Sequence, residues 1–136
     1  MPTILVVDDE PTVLGLCQQI LQLGGYSVLK ASGGEAALVQ ASRAGHSIDL
    51  ALLDVMMPVM NGIQLAARLR ATHRDLPIVL MSGYSPREIA GVVGEHPYRI
   101  IWKPFKAESL LRMIDNTLRP SEGATAASDS DPGVKS

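Results

Sequence analysis

Short apolar runs alternate along the chain with longer segments of helical periodicity. Thr3 to Val7 is continuous and rich in β-branched residues, and it stops at a carboxylate pair, Asp8 and Asp9, as a strand buried on both faces would. Pro11 to Leu23 places Val13, Cys17, Ile20 and Leu21 at helical spacing and ends at Gly24-Gly25. Ser27 to Ala31 is the second predicted strand. Ser32 and Glu35 have capping-box spacing ahead of Ala36, Ala37, Leu38 and Val39, in a helix that Gly45 closes. Ile48 to Leu53 predicts a third strand, Asn61-Gly62 punctuates the loop after it, and Ile63 to Ala71 forms a helix with Ile63, Ala66 and Ala67 on its apolar side. Ile78 to Met81 is the fourth strand. Ser85-Pro86-Arg87-Glu88 is a strong helix start, but Gly91, Gly94 and Pro97 keep that fourth helix short. Arg99 to Trp102 is the fifth strand; after Phe105, Leu110, Leu111, Ile114 and Leu118 line one face of a last helix that Pro120 ends.

Five strands alternating with five helices predict a doubly wound α/β fold, because each parallel crossover needs a helix and both faces of the sheet are then covered. Such sheets bind ligands beyond the carboxyl ends of their strands, where the strand order reverses. The residues at those ends carry the chemistry: Asp8 and Asp9 after strand one, Asp54 after strand three, Ser82 after strand four and Lys103 after strand five. Taken singly, an Asp pair compensates a helix N-terminus, an Asp forms a turn, a Ser caps and a Lys is a solvated charge. Together at one sheet edge they form a site. Three converging carboxylates suit a hard cation with oxygen ligands, and Mg²⁺, held by one or two carboxylates, leaves Asp54 free as a nucleophile toward a phosphoryl group. Lys103 and Ser82 then supply the positive charge and the donor that the equatorial phosphoryl oxygens require.

Composition narrows the picture. With 136 residues, 46% hydrophobic and 19% charged, the chain suits one domain, expected over residues 1–119, followed at 120–136 by a disordered tail or truncated linker. The net charge of -2 comes from that tail, which holds Glu122, Asp129, Asp131 and Lys135, so the predicted domain is neutral and direct nucleic-acid binding is not expected. A lone cysteine and the lack of a long apolar span point to a cytoplasmic protein without membrane insertion. Cys17 reads as a small core residue, and His46, His73 and His96 as surface histidines without metal-ligand spacing.

The strings I-L-V-V-D-D-E at Ile4 to Glu10, L-L-D-V-M-M-P at Leu52 to Pro58, M-S-G-Y at Met81 to Tyr84 and K-P-F at Lys103 to Phe105 resemble the receiver domain of two-component response regulators. The resemblance covers Pro2 to Arg119. It implies a flavodoxin-like five-stranded parallel sheet in the order 2-1-3-4-5 with five helices. It also implies that Asp54 accepts a phosphoryl group from a sensor histidine kinase or a histidine phosphotransfer protein. Mg²⁺ would be bound by Asp9 and Asp54 directly, by Asp8 mainly through water, and by the main-chain carbonyl of Met56. Ser82 would move to hydrogen-bond the phosphoryl oxygen, Lys103 would pair with it, and the Lys103-Pro104 bond would be cis. Such a module catalyses only its own phosphotransfer and dephosphorylation, and it is not otherwise an enzyme. It could stand alone, relay phosphate, or belong to a hybrid histidine kinase.

Three features depart from or extend that pattern. The position three before the lysine, usually Tyr or Phe, is Ile100, so the usual aromatic switch is missing. Ile100 and Trp102 share a strand face away from Lys103, and with the fourth and fifth helices they are expected to form an apolar surface for an effector or a second copy. Met56 and Tyr84 lie two residues after Asp54 and Ser82, where bulky side chains are expected to slow dephosphorylation. Two other readings compete. A Mg²⁺-dependent aspartyl phosphatase would need a second carboxylate where Met56 stands, and a degenerate receiver serving as a scaffold would not need intact Asp8, Asp9, Asp54, Ser82 and Lys103.

Overall fold

The computed structural model describes residues 1–119. The expectation for 120–136 falls outside the described residues. Among the described residues five strands alternate with five helices: β1 Thr3–Val7, α1 Pro11–Leu23, β2 Ser27–Ala31, α2 Gly34–Ala44, β3 Leu50–Asp54, α3 Gly62–Thr72, β4 Ile78–Ser82, α4 Pro86–Val93, β5 Arg99–Trp102 and α5 Ala107–Leu118, with a 3-10 turn at Gly45–Ser47. All strand pairings are parallel and the order is β2-β1-β3-β4-β5, as the resemblance implied.

The pleat divides the strand residues between two cores. Ile4, Val6, Leu50, Leu52, Val79, Met81 and Ile101 point to one side, where Leu14, Cys17, Ile20 and Leu21 of α1 and Leu110 and Ile114 of α5 cover them. Leu5, Val7, Ala51, Leu53, Ile78 and Leu80 point to the other, beneath Ala37 and Ala41 of α2, Leu65, Ala66 and Leu69 of α3, and Ile89 of α4. The three central strands are therefore apolar on both faces, which is why they read as unbroken runs.

Strand boundaries differ from the sequence reading in three places, and α3, Gly62–Thr72, runs one residue further at each end than expected. β3 starts at Leu50, where pairing with Ile4 begins; Ile48 is buried but lies outside the ladder, just after the 3-10 turn. β3 and β4 each run one residue further, because Asp54 pairs with Met81 and Ser82 with Trp102. A ladder is made by backbone groups and ignores the polarity of the side chain. The expected Ser32–Glu35 capping box does not form. Gly33 is the N-cap, its carbonyl accepting from the Ala37 N–H at 3.0 Å, so Ser32 sits one residue too early. α4 is short, eight residues, as its glycines required. The Lys103-Pro104 bond is cis.

Candidate functional site

β1 and β3 are neighbours, yet the connections from them leave in opposite directions across the sheet, so their carboxyl ends flank a natural crevice. Asp8 follows β1 directly and is fully buried; Asp54, the last residue of β3, is 5% exposed; Asp9 faces solvent. An oxygen from each of the three carboxylates lies within 4.8 Å of the others, and among the described residues this is the group of acidic and histidine side chains suited to a metal ion.

The neighbouring strand delivers the counter-charge. The Lys103 N–H donates to the Ser82 carbonyl at 2.7 Å, extending the β4–β5 ladder by one bond and aiming the side chain back over the sheet edge. Its Nζ reaches Asp8 Oδ2 at 2.8 Å and Asp54 Oδ1 at 3.3 Å. Asp8 is held at its other oxygen as well, where Oδ1 accepts the Glu10 N–H at 2.9 Å and shapes the approach to α1.

One ammonium against three carboxylates leaves negative charge in excess. Burial first, and then the charge of Asp8, push the Asp54 carboxyl up to about 6 despite the opposing pull of Lys103. Burial disfavours the Lys103 charge, but the hydrogen bond to Asp8 and the Asp54 and Asp8 charges outweigh it, and the ammonium is held above its ordinary range. Two buried carboxylates sharing one lysine make a site that a divalent cation would complete.

Ser82 is buried at the end of β4, but its hydroxyl is committed elsewhere. Oγ accepts the Tyr84 N–H at 3.0 Å and donates to the Tyr84 carbonyl at 3.1 Å, and the structure shows no bond from it to Asp54. This lock on Ser82 escaped the sequence reading, although Ser-Gly at the start of a turn is the pattern in which a hydroxyl bonds backbone two residues on. Met56 lies on the loop after β3, half-buried, its side chain packed against the α2–α3 core.

The remaining candidates behave as core or surface. Cys17 is fully buried, and burial followed by the charge of Asp8 pushes its thiol up to about 11. His73 Nε2 bonds the Gly45 carbonyl at 2.7 Å, joining the end of α3 to the turn after α2. Ile100 is half-buried against the α2–α4 core, which leaves Trp102, 37% exposed, as the outward member of the pair.

Residues 4–115 match the family model described as the response regulator receiver domain. The chain belongs to that family. As a receiver domain it is similar to the uncharacterized transcriptional regulatory protein YkoG of Bacillus subtilis, 36% identical over 119 residues, covering 85% of this chain and 50% of YkoG. It is also similar to the autoinducer 1 sensor kinase/phosphatase LuxN of Vibrio campbellii, 34% identical over 125 residues, covering 92% of this chain and 14% of LuxN. Among solved structures, the response regulator TrrA of Thermotoga maritima in complex with Mg²⁺-BeF superposes with a TM-score of 0.75 at 32% identity, covering 87% of this chain and all of TrrA. The receiver spans half or less of these two sequence relatives. The pocket of Asp8, Asp9 and Asp54 is that of a phosphoacceptor, of the acidic kind at which receiver domains bind Mg²⁺. Neither the scaffold nor the phosphatase reading is favoured. Receiver domains pair with histidine kinases and are signalling modules, not usually classed as enzymes. No helix among the described residues is long and apolar enough to cross a membrane.

Proposed function

We propose that Asp54 is the residue phosphorylated, taking the phosphoryl group from a phosphohistidine of a sensor kinase or phosphotransfer protein. The observation that carries this reading is the shared lysine: Lys103 contacts both Asp8 and Asp54, so the carboxylate at the end of β3 stands inside an acidic pocket whose charge the lysine partly offsets, and not at a solvated strand end. An Asp54 oxygen attacks phosphorus, the P–N bond to the donor imidazole breaks, and its electron pair stays on that nitrogen. Asp9 and Asp54 would hold Mg²⁺ directly, Asp8 would hold it through water, and the Met56 carbonyl would complete the protein ligands. When bound, the ion neutralises charge developing on the phosphoryl oxygens. Lys103 stabilises the same oxygens from the β5 side.

The readout begins at Ser82. To donate to a phosphoryl oxygen its hydroxyl must leave the Tyr84 backbone, and Tyr84 immediately precedes Ser85, the N-cap of α4. Phosphorylation would thus shift the population of the α4–β5–α5 face, where Trp102, Val92 and Tyr84 are partly exposed and suited to an effector or a second copy. Met56 and Tyr84 would slow loss of the phosphoryl group by obstructing water. The test is incubation of the full chain with acetyl phosphate and Mg²⁺ followed by mass spectrometry. One phosphoryl adduct on Asp54 is expected, absent in Asp54→Asn and without Mg²⁺; an adduct that persists in Asp54→Asn would refute the assignment.

A further inference from the structure

Between Asp54 and α3 the chain makes a turn that needs to be held in place. The Met60 N–H bonds the Pro58 carbonyl at 2.7 Å, closing a three-residue turn around Val59, whose φ is 72°. A β-branched residue rarely adopts that left-handed conformation, and Val59 is 98% exposed, so it gains no burial in return. The strain persists because both flanks are clamped. Met60 is buried against Gly34 at the start of α2, where an added Cβ would lie 2.6 Å from its sulfur. Gly62 is packed on β3 itself: a Cβ there would lie 2.4 Å from the Asp54 carbonyl oxygen and 3.0 Å from Val55 Cα. Its N–H also donates to the Val55 carbonyl at 2.8 Å.

The two clamps differ in kind. The atoms facing Gly34 belong to a flexible thioether side chain, whereas those facing Gly62 are the backbone of Asp54 and Val55 and cannot move without moving the carboxylate. Gly62 is not among the positive-φ glycines, so what it supplies is room and not conformational freedom. We propose that Gly62 is a positioning residue for Asp54: the bare first turn of α3, pressed against the Asp54–Val55 peptide, sets where the carboxylate stands relative to Asp8, Asp9 and Lys103. This rests on Asp54 being the phosphoacceptor. Gly62→Ala then displaces the nucleophile while leaving every side chain of the site intact, and a small displacement of a reacting group has a large effect on rate.

The experiment compares the full-length wild type, Gly62→Ala and the remote core variant Ile114→Val, each labelled with acetyl phosphate and Mg²⁺. Mg²⁺ affinity is read from the fluorescence of Trp102 and stability from urea midpoints. Gly62→Ala should label roughly tenfold or more slowly and bind Mg²⁺ more weakly, while Ile114→Val, though destabilised, should match the wild type in both. Adding Val59→Gly to Gly62→Ala should raise the urea midpoint by relieving the turn but leave labelling slow. A folded Gly62→Ala that labels within about twofold of the wild type overturns the proposal. So does failure of both the single and the double variant to fold, which would make the glycine a requirement of folding alone. If the wild type itself is not labelled on Asp54, the functional reading fails and not only the positioning.

Discussion

Asp54 is asked to be both buried and charged, and the conflict has a measurable consequence. Its folded-state pKa of about 6 lies above the ordinary 3.8, so the folded chain holds the proton more tightly than the unfolded one. Ionised Asp54 costs the fold, the cost is complete above about pH 6, and it disappears as pH falls to the ordinary carboxylate range. In metal-free buffer at pH 8, Asp54→Asn should therefore stabilise the chain by roughly 2–3 kcal/mol, and the gain should vanish by about pH 4. Urea unfolding of both proteins across that range tests it, and parallel curves would show that the carboxylate is not strained by its surroundings. Added Mg²⁺ should shrink the gap at pH 8, since a cation among Asp8, Asp9 and Asp54 favours their ionised forms.

α4 is the least anchored helix of the fold. Its eight residues include Gly91 and bury one side chain completely, Ile89, with Val93 partly buried on the same core. It owes its start to a full capping box, in which Ser85 Oγ accepts the Glu88 N–H at 3.2 Å and Glu88 Oε1 accepts the Ser85 N–H at 2.7 Å. A helix with so little packing opens at low cost, and the Ser82–Tyr84 lock lies next to its cap. Ile89→Ala should cost about 2–5 kcal/mol, felt mainly as local opening. Amide exchange should quicken across residues 86–93 while the β1, β3 and β4 amides stay protected. Equal loss of protection in the sheet would mean that α4 is integral to the global fold and poorly suited to switching.

The parallel sheet joins these local features by carrying every polar group of the site out through one edge while its two cores hold the strands in register. β4 ends in Ser82, and β5, at the sheet edge, ends beside it in Trp102, with Lys103 the next residue. Trp102 is a large, partly exposed ring next to the lysine of the site, and rings of this kind dominate association energies where they are buried by a partner. Trp102→Ala should weaken self-association or effector binding of the phosphorylated chain roughly tenfold or more, measured by sedimentation or titration calorimetry. Unchanged affinity would remove β5 from the partner surface.

The alternation of apolar runs with amphipathic segments already implied the five strands, the five helices and the chemical character of the strand ends. That was possible because a strand buried on both faces must be apolar throughout, so its first polar residue marks the edge of the sheet. The same logic misjudged Asp54 and Ser82 by one position, since backbone pairing continues past the last apolar side chain. Local spacing also suggested a Ser32 cap, which depends on which carbonyl accepts the first helical bond, and here that is Gly33. Distances were beyond the reach of pattern. That Lys103 is shared between Asp8 and Asp54, that Ser82 is held by Tyr84, and that Gly62 is pressed against the Asp54 carbonyl all depend on contacts between segments that only packing brings together. Periodicity reports which side of an element is buried; which atoms meet across the gap is set by how the elements pack in three dimensions.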